Sequence, residues 1–371
     1  MFLKYSFQVV KYSYKRAMNS RTKPIFINFL LTYLCNARCI MCNIWDLYVK
    51  KPALAKEELT ISDIEKFIID NRDELSEVRG IGLTGGDPLL MRRDFVQIVK
   101  TIRNNLAGVH LGVQTNGLIP ELAYERLRQI ISFYPDFSLA VSLDGIGKTH
   151  SFIRGTPEAF EKITQTIKYA HDLGIKDISC GMTLNKYNYK EIKEVQAYAQ
   201  KLGVEFSCFS AEVSDYFNNT VNNEFLFTDK ELEAVIQQLK ECCGYHYFMD
   251  NLRLQLEGKR IRHLPCFSGF TSLVIDPYGN VKPCVLKVKG VENDIFGNIK
   301  EMPLKDMLTS SRARGIKEKI KGCSCWCQCE VSSSVMIYPS DILRWFIFYC
   351  PDKKGFLRHV FSKKKKYSSL M

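Results

Sequence analysis

The sequence predicts an α/β protein in which six strand–helix units form a partial (β/α)6 barrel, followed by a small cysteine-rich C-terminal domain. Between residues 26 and 243, short apolar segments alternate with segments of helical period. Such alternation indicates a parallel sheet with its crossover helices outside it. After about residue 254 the alternation gives way to a hairpin pattern and a dense group of cysteines, which indicates a second unit.

The six predicted units follow one another along the chain. The first strand starts at Phe26 and leads to Cys35, and in the helix after it Ser62 and Glu65 have the spacing of a capping box. The later strands have the sequences VRGIGLT, VHLGVQT, FSLAVSL, DISCGMTL and EFSCFSA, and a helical pattern follows each of them. In barrels of the TIM type the active site lies at the carboxyl ends of the strands, so functional residues are expected there.

Composition narrows the class of protein. The chain has 371 residues, 14 cysteines and a formal net charge of +12. It shows no secretory signal and no apolar run long enough to span a bilayer, so a cytoplasmic protein is expected. In a reducing compartment, this many cysteines indicate metal binding rather than disulfides. The cations gather in residues 1–24 and after Asp352, while the body is near neutral and carries no nucleic-acid-recognition module, so no nucleic-acid partner is expected.

Three cysteines stand close together directly after the first strand, in the sequence CNARCIMC. They are Cys35, Cys39 and Cys42. A cubane iron–sulfur cluster takes four ligands, usually thiolates, so three thiols leave one position open, as catalytic metal sites do. The alternatives are a zinc site completed by a remote histidine, or three incidental cysteines.

Together with the barrel pattern, this motif resembles that of radical S-adenosylmethionine (SAM) enzymes, and the resemblance extends over most of the chain. It implies that the three cysteines hold a [4Fe–4S] cluster whose open iron is chelated by SAM. In that family one electron cleaves SAM, and the resulting 5′-deoxyadenosyl radical abstracts a hydrogen atom from the substrate, while the protein orients and shields it. A reductase such as flavodoxin or ferredoxin is the implied electron source.

The resemblance also implies which residues bind SAM. Met41 matches an apolar position that packs on adenine, and Arg154 matches an arginine that pairs with the carboxylate of SAM. GGDP, residues 85–88, resembles the GGEP motif whose backbone receives the ammonium group, with Asp87 in place of glutamate. The expected SAM-binding residues are Met41, Gly85, Gly86, Asp87, Pro88, Asn116, Ser142, Asp144, Arg154, Thr183 and Asn185. Each polar one alone would more often be a loop cap, but they recur at strand ends.

The C-terminal cysteines resemble the auxiliary-cluster modules called SPASM and twitch. The candidate ligands of an auxiliary [4Fe–4S] cluster are Cys266, Cys284, and two among Cys323, Cys325, Cys327 and Cys329. Cys325 and Cys329 are favoured because they flank Trp326, as in relatives with a C-W-x-x-C pattern. A structural zinc site of four cysteines is the alternative. A second auxiliary cluster would need about four more ligands, and only Cys350 lies suitably downstream, so one is preferred.

Four segments are expected: a basic N-terminal extension (1–24), the core barrel (25–250), the auxiliary domain (251–335) and an aromatic, basic tail (336–371). Such a tail suits peripheral contact with an anionic inner-membrane surface or an anionic carrier. Alternatively, its aromatic residues pack against the barrel and its lysines form a solvated end.

The resulting hypothesis is a radical SAM oxidoreductase whose substrate is a peptide or a sugar- or lipid-linked small molecule. The short segment before the first strand leaves no room for a peptide-recognition domain, which favours the small molecule slightly. Cys208 is a candidate donor that returns a hydrogen atom to a substrate radical. The competing hypothesis is a non-catalytic zinc or iron–sulfur scaffold, in which Gly85, Asp87 and Arg154 are dispensable.

Overall fold

The computed structural model describes residues 2–91, 93–221, 223–259, 262 and 264–362. Its strands are β1 Phe26–Thr32, β2 Gly80–Gly85, β3 His110–Thr115, β4 Ser138–Ser142, β5 Ile178–Leu184, β6 Glu205–Ser210, β7 Ser272–Ile275, β8 Asn280–Lys282 and β9 Gly297–Asn298. Its helices are α1 Phe2–Ala17, α2 Ile44–Lys50, α3 Ile61–Asp70, α4 Arg93–Asn105, α5 Pro120–Ile131, α6 Lys148–Arg154, α7 Ala159–Asp172, α8 Ile192–Lys201, α9 Asp229–Cys243, α10 Tyr247–Leu256, α11 Leu304–Thr309, α12 Ser311–Ile320, α13 Gln328–Ile337, α14 Ser340–Phe348 and α15 Lys353–Ser362.

The first six strands form the predicted parallel barrel sheet. Among the described residues the sheet has the order β6-β5-β4-β3-β2-β1-β7-β8-β9, and every neighbouring pair from β6 to β1 is parallel. β6 lies at one end of this order and does not pair with β1, so the barrel is open. The carboxyl ends of β1–β6 and the loops after them form one edge, called here the barrel mouth. The prediction of a partial (β/α)6 barrel is confirmed.

The start of α3 differs from the sequence prediction. The capping box is formed by Thr60 and Asp63, whose side chains each accept from the other's backbone N–H, and not by Ser62 and Glu65. An N-cap residue must be extended, and Thr60 has φ −79° and ψ 164°. The helix therefore begins at Ile61, two residues earlier than the spacing of Ser62 and Glu65 requires, although the predicted apolar face is buried.

The cysteine-rich unit continues the barrel sheet. β7 pairs with β1 in parallel and with β8 in antiparallel, around the predicted turn at 276–280. Asp276 stabilises this turn because its Oδ1 accepts from the backbone N–H groups of Tyr278 and Asn280, both at 3.0 Å. Residue 250 lies inside α10 and residue 335 inside α13, and the division into four segments stays a prediction. The change in sequence pattern marks the first cysteine of the unit, not the end of an element.

The C-terminal helices of the described chain fold back onto the body. The indole of Trp345 is fully buried and donates to Asp250 at 2.8 Å, and Phe356 contacts its ring. The packed-tail alternative therefore holds for these aromatic residues, whereas Phe348 is 72% exposed. The lysines at 363–366 lie outside the described residues. Among the helices that are described, none is both long and apolar enough to cross a bilayer.

Candidate functional site

The loop that follows β1 carries the first cysteine group at the barrel mouth. Its members are Cys35, Cys39 and Cys42. Two backbone hydrogen bonds fix this loop to the end of α6: the N–H of Arg38 donates to the carbonyl of Arg154 at 2.8 Å, and the N–H of Ile40 donates to that of Ile153 at 3.0 Å. The loop and the predicted SAM-binding arginine are therefore held together by the backbone.

The glycines of the GGDP segment allow a close approach to the same loop. The N–H of Gly86 donates to the carbonyl of Thr32 at 2.7 Å, and that of Asp87 donates to the carbonyl of Leu34 at 2.8 Å. Gly85 has φ +128°, and a Cβ at Gly85 or Gly86 would clash with the carbonyl oxygen of Thr32 or Leu34, respectively. These positions require glycine because the cysteine loop crosses directly over them.

Asp87 connects the GGDP segment to the end of β3. Its carboxylate accepts from the hydroxyl of Thr115 at 2.8 Å, from the N–H of Asn116 at 3.0 Å and from the N–H of Leu89 at 3.1 Å. Burial raises the pKa of Asp87 to about 6 although these bonds favour the charged form. The amide of Asn116 donates to the sulfur of Cys35 at 3.7 Å, so the two predicted residues lie beside the first thiol.

Arg154 and Asp144 form a buried ion pair next to the second thiol. Arg154 Nη2 lies 2.5 Å from Asp144 Oδ2, and Nη1 donates to the sulfur of Cys39 at 3.6 Å. Burial alone would lower the pKa of Arg154, but the charges of Asp144 and Cys39 outweigh it and the net shift is upward. The Nε atom of Arg154 is buried without a hydrogen-bond partner, so a donor remains free for an anionic ligand.

The other predicted SAM-binding residues surround this ion pair, but not all of them have free side chains. Asp144 Oδ1 accepts from the N–H of Thr183 at 2.7 Å, which places the end of β5 beside the end of β4. The amide of Asn185 donates to Thr183 O at 3.1 Å and accepts from the N–H of Tyr187 at 2.9 Å, so it stabilises a local turn. Ser142 is buried at the end of β4.

His150 is a buried residue that the sequence analysis did not single out. Its Nδ1 accepts from the backbone N–H of Asp144 at 3.0 Å, and burial followed by the charge of Arg154 lowers its pKa to about 3. The imidazole is therefore neutral and carries its proton on Nε2, which has no hydrogen-bond partner. No sequence signal marks His150 as a residue of this site, because a lone histidine on a short helix is usually structural.

A second missed feature is the loop after β6, residues 211–221, which covers the cysteine loop. Asn219 Nδ2 donates to the carbonyl of Met41 at 2.8 Å, and the N–H of Asn43 donates to the carbonyl of Phe217 at 2.8 Å. Burial raises the pKa of Tyr216, and the charges of Tyr33, of the cysteine-loop thiols and of the C-terminal thiol of Cys329 raise it further. This loop therefore lies between the two groups, and its irregular sequence gave no indication of that position.

The predicted hydrogen donor Cys208 does not face the barrel mouth. Its side chain is fully buried in β6, and it contacts Cys243 on α9. Since side chains of a strand alternate between its two faces, a cysteine near a strand end can point toward the outer helices. The thiol of Cys208 therefore lies in the core, and its role as a hydrogen donor stays a prediction.

The C-terminal cysteines lie together in two contacting groups. Cys266 contacts Cys323, whose sulfur is 3.4 Å from that of Cys325. The second group contains Cys284, Cys327 and Cys329. Among the described residues, no three His, Cys, Asp or Glu side chains are spaced to hold a single metal ion. Six thiols in one region suit a cluster, whose ligands are distributed over several iron atoms.

A buried ion pair supports this cysteine region. The guanidinium of Arg262 pairs with Glu330, and both side chains are almost fully buried. Glu330 also accepts from the N–H of Phe267 at 2.9 Å, next to Cys266. Trp326, between the cysteines, donates to the carbonyl of Phe248 at 3.0 Å and so attaches the cysteine segment to α10.

Comparison with known proteins identifies the family. Residues 29–199 match the model of the Radical SAM superfamily, and residues 266–330 match that of an iron–sulfur cluster-binding domain, SPASM. The chain therefore has a radical SAM domain followed by a SPASM domain. It is an enzyme whose cofactors are a [4Fe–4S] cluster, SAM and auxiliary iron–sulfur clusters in the SPASM domain. The predictions of family, fold and cofactors are confirmed.

Several relatives extend over most of this radical SAM chain. The sporulation killing factor maturation protein SkfB of Bacillus subtilis is 25% identical over 325 residues, which are 86% of this chain and 73% of SkfB. The antilisterial bacteriocin subtilosin biosynthesis protein AlbA of the same species is 24% identical, over 81% of this chain and 64% of AlbA. A probable GTP 3′,8-cyclase of Saccharolobus islandicus is 25% identical, over 80% of this chain and 91% of the cyclase.

A solved structure supports the fold of this radical SAM enzyme. The structure described as native anSMEcpe with bound AdoMet and Cp18Cys peptide superposes with a TM-score of 0.62 and 17% sequence identity. The match covers 91% of this chain and 99% of that chain. At this identity the likeness shows that the two chains share a fold.

The cysteine loop fits the cluster that the family requires. Burial raises the pKa of Cys35 to about 11 and that of Cys42 to about 12, and it also raises that of Cys39. Thiols bind metal as thiolates, so buried thiols of this kind need nearby positive charge when deprotonated. A bound cluster supplies this charge, and Arg154 already opposes the upward shift at Cys39.

Proposed function

We propose that this enzyme reductively cleaves SAM and uses the product radical to abstract a hydrogen atom from a peptide substrate. When bound, the cluster and SAM supply a 5′-deoxyadenosyl radical. Cys35, Cys39 and Cys42 would hold the cluster. The observation that carries the proposal is the position of Arg154, which is buried beside Cys39 with an unpaired donor.

The chain's own residues would bind and orient SAM. Arg154 would donate to its carboxylate, for which a guanidinium is suited by its paired donors. The backbone carbonyls of Gly85 and Gly86 would accept from its ammonium group, while Asp87 holds that segment against β3. The loop 211–221 would shield the site from water, since it covers Met41 and Asn43.

The relatives support a peptide over a small molecule. SkfB and AlbA are described as a maturation protein and a bacteriocin biosynthesis protein, and anSMEcpe was solved with a peptide bound. This support outweighs the slight preference for a small molecule drawn from the short N-terminal segment. The cyclase relatives, described as acting on GTP, are the reason to test nucleotides as a second class.

In the auxiliary domain, Cys266 and Cys284 with two of the four later cysteines would hold the cluster. The preference for Cys325 and Cys329 remains a prediction. Iron and sulfide content of the six single alanine variants, measured in a background without the first three cysteines, tests it. Loss of the auxiliary cluster only in four of the six would identify the ligands, and equal loss in all six would contradict a four-cysteine site.

We further propose a cytoplasmic enzyme that is reduced by a flavodoxin or ferredoxin and touches an anionic lipid surface. The C-terminal helices α14 and α15 expose Leu343, Ile347, Phe348 and Leu357 beside the cations Arg344, Lys353, Lys354 and Arg358. An exposed apolar surface surrounded by cations suits anionic lipid. Phe348→Ser should reduce sedimentation with anionic vesicles, whereas Met18→Ser, at an exposed position just after α1, should not. Equal sedimentation of both variants and the wild type would contradict the contact.

Formation of 5′-deoxyadenosine tests the catalytic proposal. Anaerobically reconstituted protein is given SAM and dithionite, and the product is quantified for the wild type, Cys39→Ala and Cys180→Ala. Cys180 is a buried thiol in β5 and is not a proposed ligand. Product is expected in the wild type and Cys180→Ala but not in Cys39→Ala. Absence of product from iron-loaded wild type would favour the non-catalytic scaffold.

A further inference from the structure

The N-terminal helix α1 supplies one charged side chain to the surroundings of the auxiliary cysteines. The guanidinium of Arg16 donates from Nε to the carbonyl of Cys266 at 2.8 Å and from Nη2 to the carbonyl of Lys321 at 3.0 Å. Cys266 precedes β7, and Lys321 stands just after α12, two residues before Cys323. Arg16 therefore joins the two backbone segments whose thiols contact each other.

The charge of Arg16 faces these thiols and is not neutralised by a carboxylate of its own. The acidic groups that influence its pKa are paired with other cations: Glu330 with Arg262, and Glu318 with Lys321 at 2.7 Å. Burial lowers the pKa of Arg16, and the thiol of Cys266 is the largest opposing influence. Since a guanidinium stays protonated in proteins, a full positive charge remains beside the auxiliary site.

Other contacts hold α1 in this place. Tyr12 is fully buried in a small apolar cluster with Phe267 and Phe270, which flank β7 on its N-terminal side. The guanidinium of Arg16 also lies over the ring of Phe267, 5.8 Å from its centroid. These contacts restrict the position of Arg16, so its charge acts from a fixed direction.

We propose that Arg16 raises the reduction potential of the auxiliary cluster, an inference that rests on the proposed cluster ligands. A thiolate-bound cluster becomes more negative by one charge when it accepts an electron. A nearby cation stabilises this reduced form more than the oxidised form, and net charge and hydrogen bonding are recognised determinants of cluster potentials. Arg16 acts through the backbone and charge around the ligands, so it is a positioning residue and not a catalytic one.

The test is a dithionite titration followed by electron paramagnetic resonance. It uses full-length protein with Cys35, Cys39 and Cys42 replaced by alanine, so that the auxiliary cluster gives the signal. Arg16→Gln removes the charge, and Arg16→Lys retains it. Arg21→Gln is the control: it removes another charge of the N-terminal segment, one that is paired with Glu74. We expect Arg16→Gln to lower the ratio of reduced to oxidised cluster about tenfold at a given potential, which is about 59 mV for one electron.

The two other variants make the result decisive. Arg16→Lys should keep the wild-type midpoint within about twofold in that ratio, as should Arg21→Gln. Loss of the cluster from Arg16→Gln alone would count against an effect on the potential, because it would show that the charge is needed to hold the cluster. An unchanged midpoint in Arg16→Gln, equal shifts in both Arg16 variants, or loss of the cluster from both would overturn the inference. A parent protein that binds no iron would instead refute the auxiliary cluster itself, which is a distinguishable failure.

Discussion

Replacement of Arg154 by methionine separates binding of SAM from stability of the fold. Arg154 is buried, and its ion-pair partner Asp144 is fully buried at the end of β4. Methionine retains an unbranched apolar side chain but removes the charge and all donors. The change therefore leaves a buried carboxylate without its cation, next to the sulfur of Cys39.

The two effects have different expected sizes. Breaking a buried ion pair from one side costs about 3–5 kcal/mol of unfolding free energy, because one charge stays buried and unpaired. A hydrogen bond to a charged group contributes about 1.5–3 kcal/mol, so the affinity for SAM should fall about 10- to 150-fold. The double variant Arg154→Met with Asp144→Asn removes both charges and should regain most of the stability while SAM binding stays weak.

The assays are equilibrium dialysis of labelled SAM with reconstituted protein, and urea unfolding of the same preparations. Arg126→Met is the matched control, because Arg126 is a buried arginine on α5 that pairs with its neighbour Glu125. It should leave SAM affinity within about twofold. Wild-type SAM affinity in Arg154→Met, at equal cluster content, would refute the assignment of Arg154 to SAM.

Three further predictions concern the GGDP segment, a buried lysine and a helix cap. Gly86→Ala should lower SAM affinity at least about tenfold in dialysis, because its Cβ would clash with the carbonyl oxygen of Leu34. Gly315→Ala is the control and should not lower the affinity, because a Cβ there meets nothing within 4 Å. Equal effects of the two changes would contradict the close packing. Burial lowers the pKa of Lys317 from 10.5 to about 8, so the unfolded state binds more protons between these two pH values. The free energy of unfolding should therefore rise by about 3 kcal/mol from pH 8 to 10.5 relative to that of Lys317→Met. Below pH 8 the difference between the two proteins should not change. Urea unfolding across this range checks it, and a flat difference would refute the shift. Thr60→Ala should lower the free energy of unfolding by about 1 kcal/mol in the same assay, and Ser62→Ala should lower it by close to none. The reverse order would favour the capping box of Ser62 and Glu65 that the sequence predicted.

Elements with a clear period could be predicted from the sequence, and the details of their ends could not. The six strand–helix units follow from alternating apolar segments, and the turn at 276–280 follows from its Asp, Pro and Gly. The cap of α3 was misplaced because Thr60–Asp63 and Ser62–Glu65 have equivalent spacing, and only the extended backbone of Thr60 decides between them. The segment boundaries at 250 and 335 fall inside helices α10 and α13, because a change in sequence pattern does not mark where an element ends.

The candidate site divides in a similar way. Spacing in CNARCIMC and GGDP located the thiols and the glycines, since both depend on local sequence. The loop 211–221 and the contact of Arg16 with Cys266 depend on tertiary packing between residues distant in sequence, and no local pattern indicates either. Cys208 shows the converse, because its place at a strand end was visible but the face on which it points was not.

The central claim is that the cysteine loop and Arg154 form a cluster site that binds SAM directly. Electron–nuclear double resonance of the reduced protein, given SAM with ¹⁷O in the carboxylate and ¹⁵N in the amino group, tests it most directly. The account predicts that both labels couple to the cluster spin in the wild type, and that Cys39→Ala shows neither coupling. A reduced cluster bound by the wild-type loop that shows no coupling to either label would contradict it.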